Sequence, residues 1–351
     1  MNIRKTIPWK VCKYIYYKFG IYYFFQNILI NILQVIRYFP KYDHVHSEHL
    51  KHFGRDFPEK TFYVIRRFPN TGLLSDFHYV VNHTYYAISK GYIPVVNWDS
   101  YWNWHTEKTP IEIGGNVRSN SWEYFFEQPC GFSLKDIEKA KNVILGDSLK
   151  CSIEYNIDIS SKSFFNDKNV KSKYSEFVSK YCKLNLNTRE YIKTNKELLF
   201  GDKSNILGII YRTAGYKDVS QHSIGASIEK MIQKLTEVFY KERFNYIFIS
   251  TDEQEIVDEI YKVFPKDKII NPTRKRFKTN EHKKYIEELS LFYKKKESIF
   301  EYELNYLTEV YLLSQCDGLV ASNFCNSVIF ALGINNNMYR YTYTFTLGSY
   351  S

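Results

Sequence analysis

Two kinds of hydrophobic spacing alternate along this chain from about residue 60 onward. Short runs of β-branched and aromatic residues come first: "TFYVIRR" (61–67), "YIPVVNW" (92–98) and "NVILG" (142–146). Between the first two, after a "PNTG" turn, "LLSDFHYVVNHTYYAISKG" (73–91) repeats its apolar residues at three- and four-residue intervals and stops at Gly91. The short runs predict strands buried on both faces, and the longer period predicts an amphipathic helix closed by glycine. A strand, a helix and a strand in that order predict a βαβ unit and a parallel sheet. Ser133 with Asp136 three residues on marks a helix start before "LKDIEKA". Residues 150–200 are polar and irregular, then helical, as expected of a connection between domains.

The second half alternates more cleanly. Strands are predicted at "NILGIIY" (205–211), "NYIFIS" (245–250), "DKII" (267–270) and "DGLVAS" (317–322), separated by helices near 223–240, 252–263 and 299–315. That is the pattern of a doubly wound α/β domain. The expected organisation is therefore a segment 1–42, an α/β domain 43–198 and a second α/β domain 199–351, the two domains Rossmann-like.

The amino-terminal segment changes this picture. "FGIYYFFQNILINILQVI" (19–36) is strongly apolar and flanked by Lys10, Lys13, Lys18, Arg37 and Lys41. Gln26, Asn27, Asn31 and Gln34 fall on one helical face, which favours an amphipathic helix lying on an anionic membrane surface over a membrane span. No small-residue cleavage site follows, which argues against a signal peptide. The alternative is a helix packed on the protein's own core.

Charge is unevenly placed. Residues 1–41 hold seven Lys or Arg and no acid, and residues 274–296 hold nine against three; these stretches carry +7 and +6 of the formal +10, leaving −3 on the rest. A nearly neutral body without a recognisable reading element argues against nucleic acid as a partner. The 32 tyrosines and 26 phenylalanines suit sugar stacking and core filling alike. Six scattered cysteines, without a CxxC pair, are expected as reduced thiols of a cytoplasmic protein rather than a disulfide frame or a zinc site. The sequon at Asn82 falls inside a helical pattern and is discounted.

Candidate chemistry gathers at strand ends of the second domain, where open α/β sheets bind ligands. "GIIYRTAGY" (208–216) ends a buried strand in Arg212 and Thr213. "STDEQE" follows the next strand with Ser250, Thr251 and Asp252, and "ASNFCNS" brings Ser322, Asn323, Asn326 and Ser327 to a helix start. A guanidinium grips phosphate oxygens in a fork, and a helix amino terminus offers free N–H groups to a diphosphate. A carboxylate such as Asp252 suits a guanine or ribose edge. No DxD pair occurs at these strand ends, and Asp252 and Glu253, being adjacent, point apart, so no metal site is expected. Two α/β domains facing one another across a cleft, the second holding the nucleotide, is the GT-B arrangement of sugar transferases.

The same residues carry a resemblance. "GIIYRTAGY" resembles the "HxRRTD" region of the α-1,6-fucosyltransferase and nodulation fucosyltransferase superfamily. It is more similar still to the "CRGTDY" run of a bacterial group that builds capsule and lipopolysaccharide. "GLLSDFHYVVNHTYYAISKGYIPVV" (72–96), "NSWEYFFEQPC" (120–130), "YIFISTDE" (246–253), "YLTEVYLLSQCDGLVAS" (306–322) and the closing "YTYTFTLGSY" resemble that group in order. The resemblance implies that Arg212 binds the donor's β-phosphate and Asp252 sits beside the nucleoside. It further implies that Cys325, Asn326 and Ser327 hold the diphosphate and that His222 matches a histidine of an "HPI" run. Thr213, Tyr216, Thr251, Ser322 and Asn323 complete the expected nucleotide-sugar site. Where the family carries an aspartate this chain has Gly215.

The expected activity is thus inverting, metal-independent transfer of a sugar, fucose by resemblance, from a GDP-sugar to a glycan or lipid-linked acceptor such as capsule or lipopolysaccharide. It would need no cofactor beyond the donor and would act at the inner face of the cell membrane. Arg212 would neutralise the leaving diphosphate, and Asp218, Asp76, His83 and Glu123 are the candidate bases. Two alternatives stay open: a non-catalytic nucleotide-sugar or glycan-binding homologue, and a membrane-surface component of a glycan assembly complex.

Overall fold

The computed structural model describes residues 48–67, 71–100, 105–107, 110–148, 161–212, 222–274, 276, 278 and 298–349. The expected amphipathic segment therefore lies outside the described residues, as do Thr213, Tyr216 and Asp218.

Eleven strands among the described residues form three sheets. The first, in the order β1-β6-β2-β3, is built on β2 (Asp56–Ile65), which pairs in parallel with β3 (Ile93–Val96) and β6 (Ala140–Leu145). Helix α1 (Leu73–Ser89) makes the crossover from β2 to β3, as its spacing predicts, and Gly91 follows its end at φ 74°. Strand β1 (His49–Lys51) adds an antiparallel edge that three polar-flanked residues do not announce. The predicted 61–67 strand stops at Ile65: Arg66 folds back to donate through Nε and Nη2 to the Gly146 carbonyl (3.0 and 2.8 Å). A small hairpin, β4 (Ile111–Ile113) and β5 (Asn116–Arg118), stands apart. Helix α2 (Leu134–Ile137) starts as expected, with the Asp136 carboxylate accepting from the Ser133 backbone N–H (2.7 Å). Both Asn82 and Thr84 of the sequon are buried in α1.

The connection is helical from residue 161: α3 (Ser161–Asn166), α4 (Lys168–Tyr181) and α5 (Leu186–Leu199). Asp167 and Asn185 cap α4 and α5 by accepting from Asn169 N and Thr188 N.

The other large sheet is wholly parallel, in the order β11-β10-β7-β8-β9. All six residues of central β7 (Ile206–Tyr211) are buried, as strands covered on both faces must be. Its side chains alternate. Leu207, Ile209 and Tyr211 join the core under α6 (Ile228–Lys241) and α7 (Gln254–Val263), while Ile206 and Ile210 face α8 (Ile299–Leu313) and α9 (Asn326–Asn335). Alternation places Gly208 on the second face too, where a Cβ would meet Leu313 Cδ2 at 2.9 Å. Strands β8 (Tyr246–Thr251) and β10 (Gly318–Ala321) agree with the pattern. Strand β9 is shorter than predicted, Ile269–Ile270, because Lys266–Lys268 form a 3-10 turn; β11 (Tyr341–Thr344) adds an edge that hydropathy alone does not mark.

One hydrophobic cluster runs from Tyr63, Phe77 and Trp122 through Phe164 and Tyr174 to Leu307, Phe330 and Leu332. Phe77 of α1 meets Phe330 of α9 edge to face at 5.2 Å. The two large sheets are therefore linked by packed helices as well as by chain.

Candidate functional site

Parallel pairing brings three strand ends level, Tyr211 opposite Thr251 and Ile210 opposite Ala321. The chain is pinned there by hydroxyls. Thr251 Oγ1 donates to the Tyr211 carbonyl (2.9 Å), and the Arg212 backbone N–H donates to Ser322 Oγ (3.0 Å). Asn323 Nδ2 donates to the Ser223 carbonyl (3.3 Å). Thr251, Ser322 and Asn323 are buried, so these three predicted ligand contacts shape the strand ends from beneath.

Arg212 stands in front of them. Its Nη1 donates to Ser327 Oγ (3.3 Å), its Nη2 lies 3.3 Å from Asp252 Oδ2, and its guanidinium covers the Tyr306 ring at 4.7 Å from the centroid. Tyr306 Oη meets the same Ser327 oxygen at 2.6 Å. Ser327 lies in the first turn of α9, where backbone N–H groups lack intrahelical partners and the helix dipole is positive. A guanidinium, an aromatic face and a helix amino terminus thus meet at one point, with Arg212 still 17% exposed. This arrangement suits a polyanion.

Asp252 is shared. Its other oxygen accepts from Arg274 Nη2, while Arg274 Nη1 donates to Glu309 Oε2 (2.8 Å) and the Arg274 guanidinium lies over Tyr302. Ser250 Oγ also donates to Glu309 (3.3 Å). Burial works against the charge on Arg274, yet Asp252 and Glu309 outweigh it and hold the group above its ordinary value. Burial likewise raises the Glu309 carboxyl, held back by Arg274.

The amino end of α9 is also tied to α1. His78 Nδ1 is 2.9 Å from Asn326 Oδ1, and its Nε2 is 2.7 Å from the Tyr174 hydroxyl. Burial lowers the His78 pKa to about 4, against the Asn326 hydrogen bond. The ring is accordingly neutral, donating through Nδ1 to Asn326 and accepting at Nε2 from Tyr174. Asn326 is therefore held by the protein at the mouth of the helix.

A second charged chain crosses between α1 and α8. Asp76 Oδ1 accepts from Arg67 Nε (2.9 Å) and Thr71 Oγ1 (2.7 Å), and its Oδ2 accepts from Thr71 N (2.9 Å) and His105 Nε2 (3.1 Å). His105 Nδ1 lies 2.5 Å from Glu303 Oε1. Burial alone lowers the His105 pKa, but Glu303 and Asp76 carry it to about 10, so the ring is an imidazolium. Burial alone raises the Asp76 carboxyl; His105 and Arg67 outweigh it and hold it below the usual range.

Of the candidate bases, Asp76 is fully buried with four donors on its two oxygens. His83 is buried beside Tyr63 and Tyr79, its Nδ1 at 2.9 Å from the Tyr63 hydroxyl. Glu123 is paired with Arg118 (3.2 Å) and accepts from Gln128 Nε2 (2.8 Å). In these positions Asp76, His83 and Glu123 are each engaged by protein groups. Cys325 precedes α9 as a half-buried thiol outside any disulfide, and His222 is exposed overall, its pKa lowered by partial desolvation of the ring. Arg274, Tyr306, Glu309, His78, His105 and Glu303 were not foreseen. Polar Glu303 and Glu309 within the apolar "ELNYLTEVYLL" run were a legible signal, and Arg274 hid inside a stretch noted for charge alone. Among the described residues no group of three or more His, Cys, Asp or Glu is arranged to hold a metal ion, and no helix is long and apolar enough to cross a membrane.

No protein-family model matches the chain, and no curated protein matches it. Several solved structures are similar to it. A fucosyltransferase, NodZ, from Bradyrhizobium is 15% identical, with 78% of this chain and 92% of that chain covered and a TM-score of 0.44. POFUT1 in complex with GDP is 9% identical, covering 81% and 98%, with a TM-score of 0.46. An Arabidopsis thaliana FUT1 mutant in complex with GDP is 11% identical, covering 78% and 69%, with a TM-score of 0.43. Likeness at this level transfers no residue role, and Arg212 and its partners are read from their own geometry.

Proposed function

We propose that this chain is an inverting glycosyltransferase that moves a sugar, fucose by the sequence resemblance, from a GDP-sugar to a glycan or lipid-linked acceptor. The observation that carries the proposal is Arg212, aimed from the end of β7 at the amino terminus of α9 over the Tyr306 ring. An acceptor hydroxyl attacks the anomeric carbon, the bond to the β-phosphate oxygen breaks, and that oxygen leaves with the electron pair. The hydroxyl proton passes to a base. Arg212 and the α9 terminus stabilise the charge that develops on the leaving diphosphate. Asp76, His83 and Glu123 are engaged by protein groups, which leaves Asp218, six residues beyond Arg212, as the candidate whose surroundings lie outside the described residues.

Metal independence is part of the proposal, since a guanidinium and a helix terminus at one point perform the neutralisation that a divalent cation performs elsewhere. So is a cytoplasmic site on the inner face of the cell membrane, supported by the basic and apolar composition of residues 1–42, and a surface polymer such as capsule or lipopolysaccharide as acceptor, supported by the motif order. Gly215, where the resembling group has aspartate, favours a second reading, a nucleotide-sugar-binding homologue without turnover. Calorimetry with GDP-, UDP- and dTDP-sugars, followed by a turnover assay, separates the two. Arg212→Ala is expected to lose about 2–4 kcal/mol of transition-state stabilisation with the fold intact. Turnover unchanged in that variant would remove Arg212 from the mechanism.

A further inference from the structure

We propose that Arg274 is a positioning residue: it holds Asp252 by its other oxygen and offsets its charge, so that Arg212 can exchange its own carboxylate for an incoming phosphate anion. The inference rests on the reading of Arg212 as the anion-binding group and extends it to the question of how that group is made available.

Four charges are joined by successive ion pairs, and the Arg276 guanidinium lies close enough to interact with Glu309 and Asp252. Arg212 reaches Asp252 Oδ2 from the open side at 3.3 Å; Arg274 reaches Asp252 Oδ1 from the buried side and continues to Glu309 at 2.8 Å. Arg212 and Asp252 are 17% and 19% exposed at their side chains, whereas Arg274 and Glu309 are 6% and 4% exposed. The inner pair is fixed: Glu309 is on α8, Ser250 Oγ donates to the same Glu309 oxygen, and the Tyr302 ring lies beneath the guanidinium. The outer pair is the longer contact and the one water and ligand can reach. A carboxylate next to an anion site is ordinarily a defect, because it repels the ligand and occupies its cation. Two cations on one carboxylate reverse that. Asp252 then has a partner that stays when Arg212 turns away, and its charge is neutralised from behind.

Taking Arg274 away has a predictable consequence. Asp252 loses the cation on its Oδ1 and leans more heavily on Arg212, so an anion must break a stronger ion pair and bind beside a less compensated carboxylate. Affinity falls although Arg274 touches no ligand. Removing the Asp252 charge as well restores it, because the competitor has gone. A direct phosphate ligand at Arg274 would behave differently: deleting Asp252 could not replace its hydrogen bonds.

The probe is inorganic pyrophosphate, which lacks a nucleoside and so reports on the anion site without any base contact by Asp252; GDP is measured beside it. Arg274→Gln alone strands Glu309 as a buried charge, so the working background is Arg274→Gln with Glu309→Gln, two neutral amides that can still hydrogen-bond. In the full-length chain, titration calorimetry is expected to show pyrophosphate bound about tenfold more weakly by the double variant, and binding recovered to within about twofold when Asp252→Asn is added. Circular dichroism confirms that each variant is folded; an unfolded double variant is replaced by Arg274→Lys, which keeps one of the two contacts and is expected to lose about threefold, again recovered by Asp252→Asn. Unchanged affinity without Arg274, a loss that Asp252→Asn leaves in place, or no pyrophosphate binding by the unaltered protein each overturns the proposal. Pyrophosphate binding with the expected rescue, but no turnover of any GDP-sugar, upholds it while rejecting the transferase reading.

Discussion

His105 offers the sharpest energetic test of the arrangement. Its imidazolium is completely buried between Asp76 and Glu303 and joins α1 to α8. Its pKa of about 10 in the folded protein compares with about 6.5 in an unfolded chain. At about 1.4 kcal/mol for each pH unit of that separation, the protonated ring contributes about 5 kcal/mol, and breaking one partner out of a buried ion pair costs about 3–5 kcal/mol. Because the folded value is the higher one, this stability is complete below about pH 6.5 and is lost as pH rises through 10. His105→Gln keeps the size and hydrogen bonding but not the charge, and strands Glu303. Urea unfolding at pH 6.0, 7.5 and 9.0 is expected to show the variant about 3–5 kcal/mol less stable at the lowest pH, with the gap narrowing steadily at the higher two. A gap that stays constant across that range would refute the charge assignment, because a purely steric defect has no reason to titrate there.

Gly333→Ala sets two effects against each other: alanine favours the helix by about 1 kcal/mol, but its Cβ would lie 2.3 Å from the Tyr174 ring, an overpacking worth about 1–3 kcal/mol. The net expectation is a lower Tm together with weaker nucleotide binding, since Tyr174 carries His78 and His78 carries Asn326; a raised Tm would contradict it. Turnover is expected to survive exhaustive EDTA treatment, and activity abolished by chelation and restored by Mn²⁺ would reject Arg212 as the chief counter-charge. Removing residues 1–41 is expected to abolish salt-sensitive binding to anionic vesicles, to which each cation near the surface adds about 1 kcal/mol, and to leave a folded remainder. Unfolding of the truncated chain would assign the segment to the core.

Much of the fold was legible because it depends on local periodicity. Runs such as "NILGIIY" and "NYIFIS" are buried on both faces, and a strand in that position must be apolar throughout whatever its neighbours are. The α1 helix and its Gly91 stop, the Ser133–Asp136 start and the three strand ends with Arg212, Asp252 and Ser327 follow from spacing and residue chemistry in the same way. Short edges were not legible: β1 and β11 hold three and four residues, and their pairing is conferred by the strand alongside.

The roles of the polar residues were decided by tertiary contacts. Asp76 looked like a base because a carboxylate on a helix is a free carboxylate until something is placed beside it; Arg67, Thr71 and His105, the last 29 residues away, use all of its lone pairs. Arg274 looked like one of nine cations in a basic stretch until β8 and α8 brought two acids to it. Sequence by itself determined which residues bear charge and at which strand ends they emerge. The folded chain alone determined which charges are neutralised from behind and which face outward, because ion pairing depends on distance in space and on burial, and neither is written along the chain.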